Sequence, residues 1–96
     1  MNFLMMCGVT NDVIKKIIEN NNDSIILNAE WNIENVVSSI EYFKSIGIEN
    51  IDDILINRFD IFLRGREKLK KKIDSLKDID FINSINLDIK NINLLD

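Results

Sequence analysis

Residues 64–77 are rich in cationic side chains and form the part of this sequence best suited to bind a ligand. Lys and Arg neutralise phosphate groups, and each phosphate contact adds affinity that weakens as salt rises. Residues 58–77 hold eight basic and three acidic residues, although the whole chain has a net charge of −4. The alternative is a helix face whose charges only keep it solvated. We predict that the segment contacts a nucleic acid backbone through Arg64, Arg66, Lys68, Lys70, Lys71, Lys72 and Lys77.

Acidic side chains dominate the first part of the chain and indicate a different kind of partner. Residues 1–57 hold nine acidic and three basic residues. Such a patch would suit a basic protein partner or would imitate a phosphate backbone, whereas the alternative role is helix capping and solubility. The clustered carboxylates are those of Glu34, Glu41, Glu49, Asp52 and Asp53.

Residue types that carry catalysis or bind metals are scarce. The chain has no histidine and a single cysteine, Cys7, so no internal disulfide forms and the thiol has no histidine base to activate it. The only three glycines, Gly8, Gly47 and Gly65, are isolated, so there is no glycine-rich phosphate loop, and no calcium-loop pattern occurs. We therefore expect a protein that is not an enzyme, with no cofactor, no bound metal and an inert thiol.

The N-terminal residues and the cysteine content suggest where the protein resides. The apolar stretch Met1–Cys7 lacks basic residues and is too short for a signal peptide or a membrane span. A lone cysteine suits a reducing compartment. We expect a cytoplasmic protein that does not bind membranes.

The elements that position these residues are predicted to be helices. The chain has no proline, and apolar residues recur at helical spacing. The spacing predicts a first helix at 10–20 capped by Thr10 or Asn11, a second at 33–46 ended by Gly47, a third from an Asn50 cap, and a fourth from Gly65 to about residue 77. Two short apolar segments, at 25–27 and 59–63, separate the helices within each pair. We call these segments apolar knots. Residues 78–96 read as either helix or strand, and we favour helix.

The positions of four aromatic side chains indicate which of them pack in the core. The spacing of Phe59 and Phe62 favours packing in the core rather than stacking on bases. Trp31 lies at the entrance of the second helix, where it would staple the chain, and Tyr42 neighbours the inward Phe43 and is expected to point partly outward. None of the four is interleaved with the basic run.

An internal repeat relates the two halves of the chain. A shift of 36 residues superposes 25–27 on 61–63, and Ile33, Val37 and Ile40 on Leu69, Ile73 and Leu76. One such unit cannot close its own core, so neighbouring units must stack. We therefore predict a single all-α domain spanning residues 1–96, with two tandem helix-knot-helix repeats stacked into a small helical array and a C-terminal capping helix.

Residues 8–77 resemble the repeats of the mitochondrial transcription termination factor (mTERF) family. Ser45-Ile46-Gly47-Ile48 is similar to the family's leucine-glycine-isoleucine junction, and Arg58-Phe59-Asp60-Ile61-Phe62-Leu63 is similar to its apolar knot, with Asp60 in place of the family's proline. The resemblance implies stacked helical repeats whose concave side touches a nucleic acid backbone. We therefore expect a binding module with a regulatory role that contacts nucleic acid. The alternative is a small protein-binding adaptor or inhibitor, of the kind that a mobile element could encode, that acts through its acidic and apolar surfaces.

Overall fold

The computed structural model describes all residues from 1 to 96 and consists of helices joined by short connections. It contains no strand, so the predicted all-α class is confirmed. The α-helices are α1 (Asn11–Asn20), α2 (Asp23–Trp31), α3 (Ile33–Ser45), α4 (Ile51–Asn57), α5 (Arg66–Asp74) and α6 (Phe81–Leu87). Three 3₁₀ helices, here called N-terminal, central and C-terminal, span Asn2–Cys7, Phe59–Leu63 and Ile89–Leu95.

Side-chain caps explain where several helices begin. The Thr10 hydroxyl accepts a hydrogen bond from the Val13 amide at 3.4 Å, as the sequence predicts for the first helix. Asn22 accepts from the Ile25 amide at 2.9 Å, and Asp80 accepts from the Asn83 amide at 3.1 Å. Each cap satisfies an amide that has no partner within its helix. The Asn22 and Asp80 caps start α2 and α6.

The two apolar knots differ in conformation. Residues 25–27 lie inside α2, because the Asn22 cap starts a regular helix there. Residues 59–63 form the central 3₁₀ helix, which has no side-chain cap. The fourth helix is shorter than predicted: α5 ends at Asp74, and Lys77 lies in the turn that follows.

Three further expectations about side chains are wrong. Trp31 is 80% exposed and does not staple the chain. Tyr42 is buried, and the Arg66 guanidinium of another helix lies over its ring, 5.9 Å from the centroid. Asn50 precedes α4 but does not cap it: its side-chain amide donates to the Ile85 carbonyl at 2.8 Å. The errors at Tyr42 and Asn50 have the same cause, which is that residues distant in sequence decide what these side chains contact.

One apolar core runs through the molecule, and aromatic rings occupy its centre. Phe43, Phe59 and Phe62 are fully buried, so the predicted core role of the last two is confirmed. The Phe43 and Phe62 rings meet edge to face at 5.2 Å, a favourable aromatic geometry. The core joins α3 to the central 3₁₀ helix and α5, while α1 packs on α4.

Asparagine and arginine side chains join elements that lie 35 residues apart. Asn21 donates to the Ile56 carbonyl at 3.0 Å, and Asn50 donates to the Ile85 carbonyl at 2.8 Å. Arg58 donates to the Asn93 amide oxygen at 2.7 Å. The three bonds therefore share one sequence separation although they lie in successive parts of the chain.

Arg58 also links the central 3₁₀ helix to the end of the chain. Its guanidinium pairs with Asp60 at 3.1 Å and with Asp96 at 2.6 Å, and these hydrogen bonds, Asp60 first, raise the pKa of Arg58. The Arg58 hydrogen bond lowers the pKa of the Asp96 carboxyl below its ordinary value of 3.8. The Asp96 carboxylate therefore binds a proton less readily in the folded state than in the unfolded state.

Replacing Asp96 by Asn should destabilise the protein at neutral pH but not at acid pH. A carboxyl with a lowered folded pKa stabilises the fold above its ordinary pKa, and loses that contribution as the pH falls through the lowered value. Urea unfolding between about pH 7 and pH 2 measures the difference between wild type and Asp96→Asn. Asp78→Asn, an exposed position without an ion pair, is the control. A difference that persists at the lowest pH would contradict the assigned pairing.

No helix combines the length and the apolar character that crossing a membrane requires.

Candidate nucleic-acid interface

The seven predicted cations lie on and around α5. Arg66, Lys68, Lys70, Lys71 and Lys72 are within the helix, Arg64 precedes it, and Lys77 follows it. The fully buried Leu69 and the half-buried Ile73 fix one side of α5 against the body of the protein. The basic side chains therefore spread over the remaining arc of the helix.

Three of the seven cations already have partners within the protein. The Arg64 guanidinium donates to the Leu95 carbonyl at 2.7 Å and lies 3.7 Å from the Asp96 carboxylate. Lys70 pairs with Asp74 at 2.9 Å, and this hydrogen bond raises the pKa of Lys70. Arg66 lies over the Tyr42 ring, 5.9 Å from its centroid. The partners of Arg64 and Lys70 partly neutralise their charges, and the ring holds Arg66 against α3.

The other four cations, Lys68, Lys71, Lys72 and Lys77, form no ion pair. Lys68 and Lys71 are exposed, and Lys72 is half-buried one turn beyond Lys68. Residues three and four apart are neighbours on a helix surface, so these three lysines make one continuous cationic strip. We call Lys68, Lys71 and Lys72 the lysine strip. Because like charges repel, the strip favours an anionic ligand that lies along it.

Serine side chains of α3 hold the start of α5 in place. The buried Ser39 hydroxyl accepts from the Gly65 amide at 3.1 Å and lies 3.0 Å from the Phe62 carbonyl oxygen. The Ser38 hydroxyl accepts from the Arg66 amide at 3.2 Å. These bonds satisfy amides at a helix start where Gly65 offers no side chain. Sequence reasoning missed Ser39, whose signal was a polar residue within the inward stripe of α3.

A polar cleft of about 450 Å³ opens where α3 meets the start of α5. No apolar residue lines it; three of the predicted cations do. The lining residues are Asn35, Ser38, Arg64, Gly65, Arg66, Glu67 and Lys68. The cleft continues the cationic surface from the lysine strip toward α3, with Glu67 as its one acidic group.

The other candidate groups lie elsewhere in the molecule. Glu34, Glu41, Glu49, Asp52 and Asp53 are exposed on α3, on α4 and between them, and none forms an ion pair. Cys7 is half-buried, and burial raises the pKa of its thiol. No group of three or more acidic or cysteine side chains is arranged to hold a metal ion.

Comparisons with known proteins add no family to this description: no protein-family model, curated protein or solved structure matches the chain.

Proposed function

We propose that the chain is a non-enzymatic module that binds the backbone of a nucleic acid through α5. The observation that carries the proposal is the lysine strip, three neighbouring cations that form no ion pair on a protein that is acidic overall. Charge that served solubility alone would need no such concentration on one helix. The proposed role is regulatory, because the protein would bind a nucleic acid without catalysing a reaction, as the resemblance to the mTERF family implies.

The proposed architecture is a pair of stacked helical repeats, closed at one end by α6 and the C-terminal 3₁₀ helix. The Asn21, Asn50 and Arg58 hydrogen bonds support it, because each spans 35 residues, one fewer than the 36-residue shift that relates the two repeats. One pair of equivalent positions, Val37 and Ile73, is half-buried in both copies. Other equivalent positions differ in burial: Ile33 is exposed while Leu69 is buried, and Ile40 is buried while Leu76 is half-buried.

The lysine strip should carry most of the salt-dependent affinity. Replacing Lys68, Lys71 and Lys72 together by Gln should weaken binding about 10-fold at physiological salt, and should flatten the dependence of log Kd on log salt by about 2 to 3. Fluorescence anisotropy with labelled duplex DNA, single-stranded DNA and RNA, between about 50 and 200 mM salt, measures both quantities. Lys70 is not replaced, because it already forms an ion pair with Asp74.

The control variant replaces Lys15, Lys16 and Lys90 by Gln. These three lysines are exposed and form no ion pair, and their replacement changes the net charge by the same amount. The control should retain wild-type affinity and slope. Equal losses in both variants would indicate a general charge effect, and no binding of any oligonucleotide at low salt would reject the proposed function. Helicity measured by circular dichroism should be unchanged in both.

A further inference from the structure

Two large apolar side chains on α2 are exposed on one face of the helix. Leu27 is 61% exposed and Trp31 is 80% exposed. They are four residues apart, so their side chains lie about one turn apart on the same side of the helix. Ala29 is the fully buried residue of α2, and Ile25 and Ile26 pack against the core from the opposite side. The core is therefore closed without Leu27 and Trp31, which we call the α2 ridge.

Acidic residues lie before and after the α2 ridge, and no Lys or Arg lies near it in sequence. Residues 17–43 contain five acidic residues and no basic one. Asp23 lies one turn before Leu27 on the ridge side of α2, Glu34 follows Trp31 at the start of α3, and neither forms an ion pair. Glu30 pairs with the α-amino group of Met1. A shallow cleft of about 430 Å³ beside Trp31 is lined by residues 30–35.

We propose that the α2 ridge and its acidic rim bind a basic amphipathic segment of a protein partner. Apolar side chains of that segment cover Leu27 and Trp31, while its Lys or Arg side chains contact the Trp31 ring and the carboxylates of Asp23 and Glu34. Tryptophan is the best aromatic partner for a cation and is enriched among residues that dominate binding energy. Two apolar residues one turn apart are also the spacing at which helices recognise helices.

The charge of the rim decides which occupant the ridge accepts. Nucleic acids and anionic membrane surfaces carry the same sign of charge as Asp23 and Glu34 and are repelled. A basic peptide gains from both the ridge and the rim. The site lies on a different helix from the lysine strip, so it goes beyond the proposed nucleic-acid contact and is independent of it.

Trp31 provides a direct probe, because it is the only tryptophan of the chain. Titration with a synthetic amphipathic peptide of Leu and Lys should shift Trp31 emission to shorter wavelength in a saturable manner, since the ring leaves water. A peptide of the same pattern with Glu in place of Lys should not bind. A peptide with Ser in place of Leu keeps the charge and should bind at least about 10-fold more weakly.

Variants assign the binding to the ridge and the rim. Anisotropy of the labelled Leu/Lys peptide should show about 10-fold weaker binding for Trp31→Ser and for Leu27→Ser. Leu87→Ser removes an equally exposed apolar residue from α6 and should have no effect. Asp23→Asn with Glu34→Gln should weaken binding most at low salt, whereas Glu49→Gln with Asp78→Asn, two exposed carboxylates elsewhere, should not.

Three results would overturn the proposal. They are failure of the Leu/Lys peptide to bind, binding that is unchanged in the Trp31 and Leu27 variants, and self-association by analytical ultracentrifugation that Trp31→Ser abolishes. The last result would assign the ridge to a second copy of the chain. Loss of oligonucleotide binding in the lysine-strip variant leaves this test unaffected, so the two proposals fail separately.

Discussion

Replacing Phe62 by Ala should reduce the free energy of unfolding by about 3 to 5 kcal/mol, a large part of what a domain of this size possesses. Phe62 is fully buried between Phe43, at 5.2 Å, and Phe59, at 6.2 Å between ring centroids. Removing the ring leaves a cavity where α3 meets the central 3₁₀ helix, and packed neighbours fill it only in part. Urea or thermal unfolding followed by circular dichroism measures the loss.

Ile26 provides the comparison for Phe62, because it precedes Phe62 by 36 residues and is half-buried. Ile26→Ala should cost clearly less, about 1 to 2 kcal/mol, since water already reaches this side chain. Phe62→Leu retains most of the volume and should cost about 1.5 kcal/mol or less. Equal losses for Phe62→Ala and Ile26→Ala would contradict the burial difference between the two knots.

Replacing Gly65 by Ala should destabilise the protein by about 2 to 3 kcal/mol. Gly65 has φ 84° and ψ 162°, a region of backbone space that is open almost exclusively to glycine. A Cβ atom there would also lie 2.8 Å from the Asn35 side-chain oxygen, which would have to move. The Gly65 amide bonds to Ser39, so a shift of this residue would also disturb the start of α5.

Gly8→Ala is the matched control for Gly65→Ala. Gly8 has φ 84° and ψ 10°, the ordinary left-handed conformation, and a Cβ atom there would meet no atom closer than 3.7 Å. Its replacement should cost about 1 to 2 kcal/mol. Chemical denaturation of both variants tests the order; a Gly65→Ala protein as stable as wild type would mean that α5 begins with a different backbone conformation.

Local patterns were sufficient to predict the helical class and most helix starts. A Thr10 cap followed by Ile14 and Ile17 specifies α1 through interactions within a few residues, and these predictions hold in the structure. The helical spacing of Ile51, Ile54 and Leu55 likewise places them on one face of α4, and all three are buried. The stacking of two repeats stays a prediction, because stacking depends on contacts between residues that are far apart in sequence.

For the candidate site, the sequence predicted which residue types the segment contains but not how they are arranged. Sequence reasoning placed seven cations on one segment, but it did not separate those with internal partners from those without. Arg64 is occupied by the Leu95 carbonyl, which lies 31 residues later in the chain. Arg66 meets Tyr42 on another helix. Such pairings depend on the packing of helices and leave no signal at short range.

The sequence by itself determined that this chain forms helices, where most of them begin, and which segment is cationic, because hydrophobic period, caps and charge act over a single turn or two. Only the tertiary structure decided which lysines stay unpaired, why Trp31 faces water while Tyr42 is buried, and how Ser39 positions α5. The physical reason is that burial and pairing are properties of surfaces brought together by folding. A residue's own neighbours in sequence do not fix which surface that will be.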